Sequence, residues 1–185
     1  MSDSRVSVRL DRRSFLLGTA GIATFLATSP GFATEAPQLT DVLGTFKHVG
    51  GDAERRAVAS AIEDVVRDMS ALIRPVARAR LIEANPVPDS LSLKSQGQRV
   101  TLAYAEESYA ATLDGPPADV VTHAGDDLKL RVSWRKGALH QLFTGDEKSR
   151  TNLFRREGDK LAIYVTVQAQ ALPKELVYRL SYARA

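Results

Sequence analysis

The chain predicts a mainly β fold, an antiparallel up-and-down meander of nine or ten strands forming a barrel or strongly curved sheet, with one long helix near its N-terminus. Three observations carry that prediction. Past Pro88, segment after segment alternates apolar and polar residues with the period of a half-buried strand. Short breaks such as Lys136-Gly137 and Gly158-Asp159 punctuate the run at hairpin spacing. Between residues 53 and 84, by contrast, apolar residues recur three and four positions apart, the spacing of a helix face.

The first element is an address. Asp11-Arg12-Arg13-Ser14-Phe15-Leu16-Leu17 resembles the twin-arginine (Tat) export motif. From Phe15 to Ala27 the chain is apolar but diluted by Gly18, Thr19, Gly21 and Thr24. That is short of the roughly 20 apolar residues a membrane span needs. Gly31-Phe32-Ala33 offers a small-x-small cleavage site, which sets the mature start near Thr34. The expectations are a signal peptide over residues 1–33 and a single domain over 34–185. The Tat resemblance implies the export machinery as a partner through Arg12 and Arg13, periplasmic or secreted localisation, a bacterial source, and no stable membrane span after cleavage.

Cleavage removes four arginines (Arg5, Arg9, Arg12, Arg13) and two aspartates (Asp3, Asp11), so the net charge of +3 falls to +1. A near-neutral domain gives no reason to expect nucleic acid. The chain has no cysteine, which excludes disulfides, a thiol nucleophile and a lipid-bearing cysteine. Such a domain rests on packing alone.

A first strand is expected within Leu39–Val49, broken by Gly50-Gly51-Asp52, with Asp52 a suitable helix N-cap. Val58, Ile62, Val65, Met69, Leu72, Ile73 and Val76 then form one stripe on a helix over 53–84. Pro75 should kink or split that helix, and Asn85-Pro86-Val87-Pro88 ends it. The expected strands are 91–95, 98–105, 108–114, 118–124, 127–135, 138–144, 149–156, 160–171 and 175–184.

Each hairpin turn predicts which side chains share a face. Lys136-Gly137 sets Trp134 opposite Leu139 and Leu130 opposite Phe143; Gly158-Asp159 sets Phe154 opposite Ile163. A Pro173-Lys174 turn sets Val167 opposite Leu180. Glu106-Glu107 sets Tyr104 opposite Tyr109, and Gln96-Gly97 sets Leu93 opposite Val100. Apolar residues line up on one face across every hairpin. A meander this long tends to curl, since closure removes its edges.

Leu43-Gly44-Thr45-Phe46 and the meander together resemble the calycins, the lipocalin and fatty-acid-binding-protein group, with Phe46 where their opening Gly-x-Trp strand carries Trp. The resemblance covers residues 43–184 and implies a binding protein for a small amphipathic or lipid-like ligand inside the barrel. The 53–84 helix before the main meander departs from the family's pattern. It raises a rival fold, an open sheet gripping the helix, which would serve as an interaction or scaffold module with a filled core. Fatty-acid-binding proteins hold a carboxylate with Arg-x-Tyr near the chain end. Tyr182-Ala183-Arg184 has the reverse order, so that site is not carried over.

No catalytic or metal pattern is found. His48 precedes the helix, and the registers place His123 and His140 on opposite faces. There is no H-E-x-x-H, no G-x-S-x-G and no S-x-x-K in the mature domain. Gly50-Gly51 lacks the glycine spacing and lysine of a phosphate loop. Glu106-Glu107 and Asp126-Asp127 fall at predicted turns and read as solvated acids. The chain is therefore expected to be neither an enzyme nor a holder of a metal or cofactor.

The informative residues are polar groups on the apolar face. Gln141 is expected opposite Val132, Asn152 opposite Val165 and Arg150 opposite Val167. Tyr178, Tyr182 and Arg184 point the same way from the last strand, with Tyr104, Tyr109 and His123 from earlier ones. As a set these nine residues read as the lining of a mixed-polarity pocket. Arg150 or Arg184 with a tyrosine hydroxyl would hold a carboxylate. The outer face, with Lys129, Arg131, Arg135, Arg155 and Arg179, reads as a solvated exterior. Tyr164 beside Arg155 and Arg179, or Arg74, Arg78 and Arg80 on the helix, would mark a partner or headgroup surface instead.

Overall fold

The computed structural model describes residues 37–104, 107–122 and 125–185, so the export motif and cleavage site lie outside the described residues. Its strands are β1 (Gly44–His48), β2 (Ser90–Gln96), β3 (Arg99–Tyr104), β4 (Glu107–Thr112), β5 (Ala118–Val121), β6 (Asp127–Arg135), β7 (Ala138–Thr144), β8 (Lys148–Glu157), β9 (Lys160–Ala169) and β10 (Leu176–Arg184). They form one antiparallel sheet ordered β4-β3-β2-β1-β10-β9-β8-β7-β6-β5. The sheet curls until its ends nearly meet. Leu113 forms a bridge to Val132, whose carbonyl accepts the Asp114 N–H at 2.9 Å. The result is a nearly closed barrel, as the alternation predicts.

The registers explain why the core sits inside. Trp134 pairs with Leu139, Leu130 with Phe143, Val132 with Gln141 and Phe154 with Ile163, as the turns require. Three expected registers differ. Leu93 pairs with Leu102, because Gly97 takes the positive φ of 59° at the first turn position and shifts the turn to Gly97-Gln98. Leu102 pairs with Tyr109, because Glu107 belongs to the strand and pairs with Tyr104. Leu180 pairs with Ile163, because Leu172 N–H bonds back to the Ala169 carbonyl and closes a turn before Pro173 is reached. Each slip is of two or four residues, so every side chain keeps its face.

Between β1 and β2 run α1 (Gly51–Arg67) and α2 (Arg74–Ala84), with Pro75 in the first turn of α2. Proline is tolerated there because that N–H has no intrahelical partner. The expected single stripe is therefore split. Val58, Ile62, Val65 and Val66 are buried, whereas Leu72 is 88% exposed and Val76 57% exposed. The chain changes direction over residues 68–73, and helical phase is lost there. Arg74 bonds the carbonyls of Val66, Arg67 and Met69 at 3.1, 2.9 and 2.9 Å, closing the end of α1. Leu39–Val49 holds a short 3-10 turn, Leu39–Val42, before β1.

α1 packs on β10 through its first turn. A Glu54 carboxylate oxygen accepts the Ser181 N–H at 2.7 Å and lies 3.0 Å from His48 Nε2. It satisfies a backbone donor of β10 at the point where the pairing with β1 has ended. Burial raises the Glu54 pKa, but bonds from Ser181 and His48 outweigh it and hold the carboxyl below 4.5. A carboxylate held down in this way stabilises the fold above about pH 4.5 and loses that contribution as pH falls through its lowered value. Glu54→Gln is thus expected to be less stable than the wild type at neutral pH, with the gap narrowing below pH 4.5. Thermal unfolding of both proteins across that range checks it; a gap independent of pH would refute it.

Candidate functional site

The inner face of the barrel lines an open-mouthed cavity of about 740 Å³. Its apolar wall includes Leu102, Phe143, Phe154, Ile163, Val165 and Val167. The C-terminal end of α2 and residues Pro86 and Pro88 close over one side. The α1 stripe Val58, Ile62, Val65 and Val66 is buried in the core and leaves this space beside it.

Arg150 is the centre of the polar set. Its side chain is half-buried on β8, beside Val167 on β9 and Phe143 on β7. Nε donates to Asn152 Oδ1 at 3.0 Å, and Nη1 to the Ala84 carbonyl at 2.8 Å and Asn85 Oδ1 at 3.3 Å. Nη2 donates to the Tyr178 hydroxyl at 3.2 Å. Among the described residues, each of these acceptors is neutral. Behind Arg150, Asn152 donates to Gln141 Oε1 at 2.8 Å, and both amides are buried. The Tyr178 hydroxyl in turn donates to Asn85 Oδ1 at 3.1 Å. Burial raises the Tyr178 pKa against the pull of Arg150, so the phenol stays protonated.

A second polar group lies on β3 and β4. Tyr109 donates to Glu107 Oε2 at 3.0 Å, and Tyr104 lies beside it with ring centroids 6.0 Å apart. Burial pushes Tyr104 up to about 12, with the Glu107 charge adding to the rise and Arg150 opposing it. Tyr109 also meets Phe143 edge-on at 5.1 Å. Three rings therefore make an aromatic wall, with Glu107 at one end and the partner of Arg150 at the other.

The other expected residues fall as follows. Tyr182 lines the cavity, donates to the Pro88 carbonyl at 2.9 Å and takes the His48 ring edge-on at 5.4 Å. Gln141 lines a small void of about 10 Å³ beneath the main cavity. Arg184 departs from its expected place: it is exposed, donates to the Leu43 carbonyl at 3.0 Å and lies over the Phe46 ring at 5.5 Å. It shares the inward face, but at the C-terminal end of β10, where it pairs with Phe46 of β1. His123 lies outside the described residues. His140 sits opposite Ser133 on the outer face.

Two residues of the site went unread in the sequence. Glu107, which the sequence places in a solvated turn, faces the cavity because it is a strand residue in register with Tyr104 and Leu91. Asn85, taken only as a helix stop, is 4% exposed and ties α2 to the barrel: its Nδ2 donates to the Leu81 carbonyl at 2.8 Å while its Oδ1 accepts from Arg150 and Tyr178. On the outer face Tyr164 donates to Glu157 at 2.6 Å, and Arg179 bonds the same carboxylate at 2.7 Å. Arg78 pairs with Glu63. Among the described residues, no group of three or more His, Asp or Glu is placed to hold a metal.

No protein-family model matches this chain, and no curated protein does. Solved structures do. The apo lipid binding protein 8 of Caenorhabditis elegans superposes with a TM-score of 0.51 at 13% identity, covering 80% of this chain and 99% of that one. A secretory abundant heat soluble protein from Ramazzottius varieornatus gives 0.51 at 11% identity, over 78% and 96%. The fluorescent protein UnaG gives 0.50 at 15%, over 80% and 100%. The likeness is one of fold. The barrel is calycin-like, with the helix pair between its first two strands.

Proposed function

We propose that this chain is an exported carrier or sensor that holds a small amphipathic acid inside its barrel. The observation that carries the reading is a cavity of about 740 Å³ containing Arg150, a cation whose described hydrogen bonds all go to neutral acceptors. Pockets of roughly 300–1,000 Å³ with apolar walls and a few placed polar groups suit small ligands. An anionic headgroup there gains a charge-assisted bond from the remaining N–H of a guanidinium already oriented by Asn152 and Tyr178. That one of the similar barrels is named a lipid binding protein supports the same reading. The reading assigns the chain no catalysis. Arg12-Arg13-Ser14-Phe15 and Gly31-Phe32-Ala33 support the export half of the proposal.

One experiment tests both halves. Native mass spectrometry of protein recovered from the producing cell's periplasm is expected to show a chain beginning near Thr34 with a co-purified acid. Arg12→Lys with Arg13→Lys should leave the chain uncleaved in the cytoplasm. Export that survives the double replacement would overturn the Tat route. Protein that neither carries nor takes up any amphipathic acid would overturn the carrier reading.

A further inference from the structure

Glu107 has no role in holding an acid. It is a half-buried carboxylate on the inner face of β4, lining the same cavity as Arg150. Its described hydrogen bond comes from the Tyr109 hydroxyl, and no described lysine or arginine pairs with it. Arg150 and Glu107 form no ion pair with one another: four of the five guanidinium N–H groups go to Asn152, Ala84, Asn85 and Tyr178, which leaves one on Nη2 for a headgroup. Between them stands the aromatic wall. Phe143 is the strand partner of Arg150, its ring lies 5.1 Å from Tyr109, and Tyr109 touches Glu107.

A ligand body laid along that wall displaces water from Glu107. A plain alkyl chain returns nothing to the carboxylate, which then loses hydration without a substitute donor. A hydroxyl on the chain does return it. It donates to a lone pair of Glu107 beside the one that already accepts the Tyr109 hydroxyl. An ammonium would pair with Glu107 only by shedding a strongly hydrated charge of its own, which a neutral hydroxyl need not do.

Resting on the carrier reading above, we propose that the cavity selects a hydroxylated amphipathic acid: Arg150 takes the carboxylate, and Glu107, held in place by the Tyr109 hydroxyl, takes a hydroxyl on the ligand body. The site then discriminates against plain fatty acids. A polar site built for a hydroxyl rejects the analogue lacking it far more strongly than an apolar pocket rejects an extra methylene.

The test is calorimetric titration of the delipidated mature protein with palmitate and with monohydroxy palmitates bearing the hydroxyl at successive mid-chain carbons. At least one hydroxy isomer is expected to bind about tenfold or more tightly than palmitate. In Glu107→Leu that preference should vanish, with palmitate gaining affinity. Palmitate binding as tightly as every isomer to the wild type would overturn the inference and leave the carrier reading intact. An amino-substituted acid binding tighter than the hydroxy acids would overturn the choice of hydroxyl. If no acid binds at all, the carrier reading itself fails and this inference with it. The wild-type comparison stands even if the leucine variant does not fold.

Discussion

Arg150→Leu is expected to weaken binding of an amphipathic acid about a hundredfold, the largest loss from any single change in the cavity. A hundredfold corresponds to about 2.7 kcal/mol. That is what removing one partner of a charge-assisted, partly desolvated pair typically costs. The apo protein should lose much less, because the acceptors Arg150 leaves behind are neutral and the half-buried site admits water. Arg150→Lys should fall between the two: it keeps the charge, but one ammonium cannot bond Asn152, Ala84 and Tyr178 together as the guanidinium fork does. Titration of the three proteins with one acid, alongside thermal unfolding, separates the effects. Equal affinity in all three would mean that the cavity holds its ligand without the cation. A large loss of apo stability in Arg150→Leu would mean that Arg150 acts mainly as a strut to α2.

The face of each strand residue was legible because face depends on parity, and parity survives an even slip of register. Leu93, Tyr109 and Leu180 acquire partners other than those the turns imply, yet all three remain inside. The pairs around Lys136-Gly137 and Gly158-Asp159 were legible outright, since a glycine beside a polar residue leaves little choice of turn. What parity cannot show is how far along the barrel a residue lies. Gln141, Asn152 and Arg184 all face inward, but the two amides are buried deep in the wall while Arg184 emerges at the end. Nor does parity reach across the helices. The role of Asn85 depends on α2 returning over the sheet to meet Tyr178, 93 residues later in the chain. Glu107 was missed for a local reason: a pair of acids at a hairpin reads as solvated, and one residue of shift brings the second into the strand.

Phe46→Ala is expected to destabilise the fold by about 3–5 kcal/mol, the cost of emptying a fully buried aromatic site. That should lower the melting temperature on the order of 10 °C for a domain of this size. The reason lies in where β1 sits. It is the strand that joins the β2–β4 meander to the long run from β10 to β5. Three of its residues pair with β10 and four with β2, against ten pairs between β8 and β9. So short a ladder contributes little cohesion by itself, and Phe46 is the single buried residue within β1. The Arg184 guanidinium covers its ring at 5.5 Å from the far side of the seam. Alanine leaves a void that neither the short ladder nor Arg184 can fill. Phe46→Leu, which keeps most of the apolar volume, should lose distinctly less. Amide exchange of Thr45 and Lys47 should accelerate in Phe46→Ala together with that of their partners Ser92 and Ala183. Measured stability within about 1 kcal/mol of the wild type would show that backbone pairing alone holds the two halves of the barrel together.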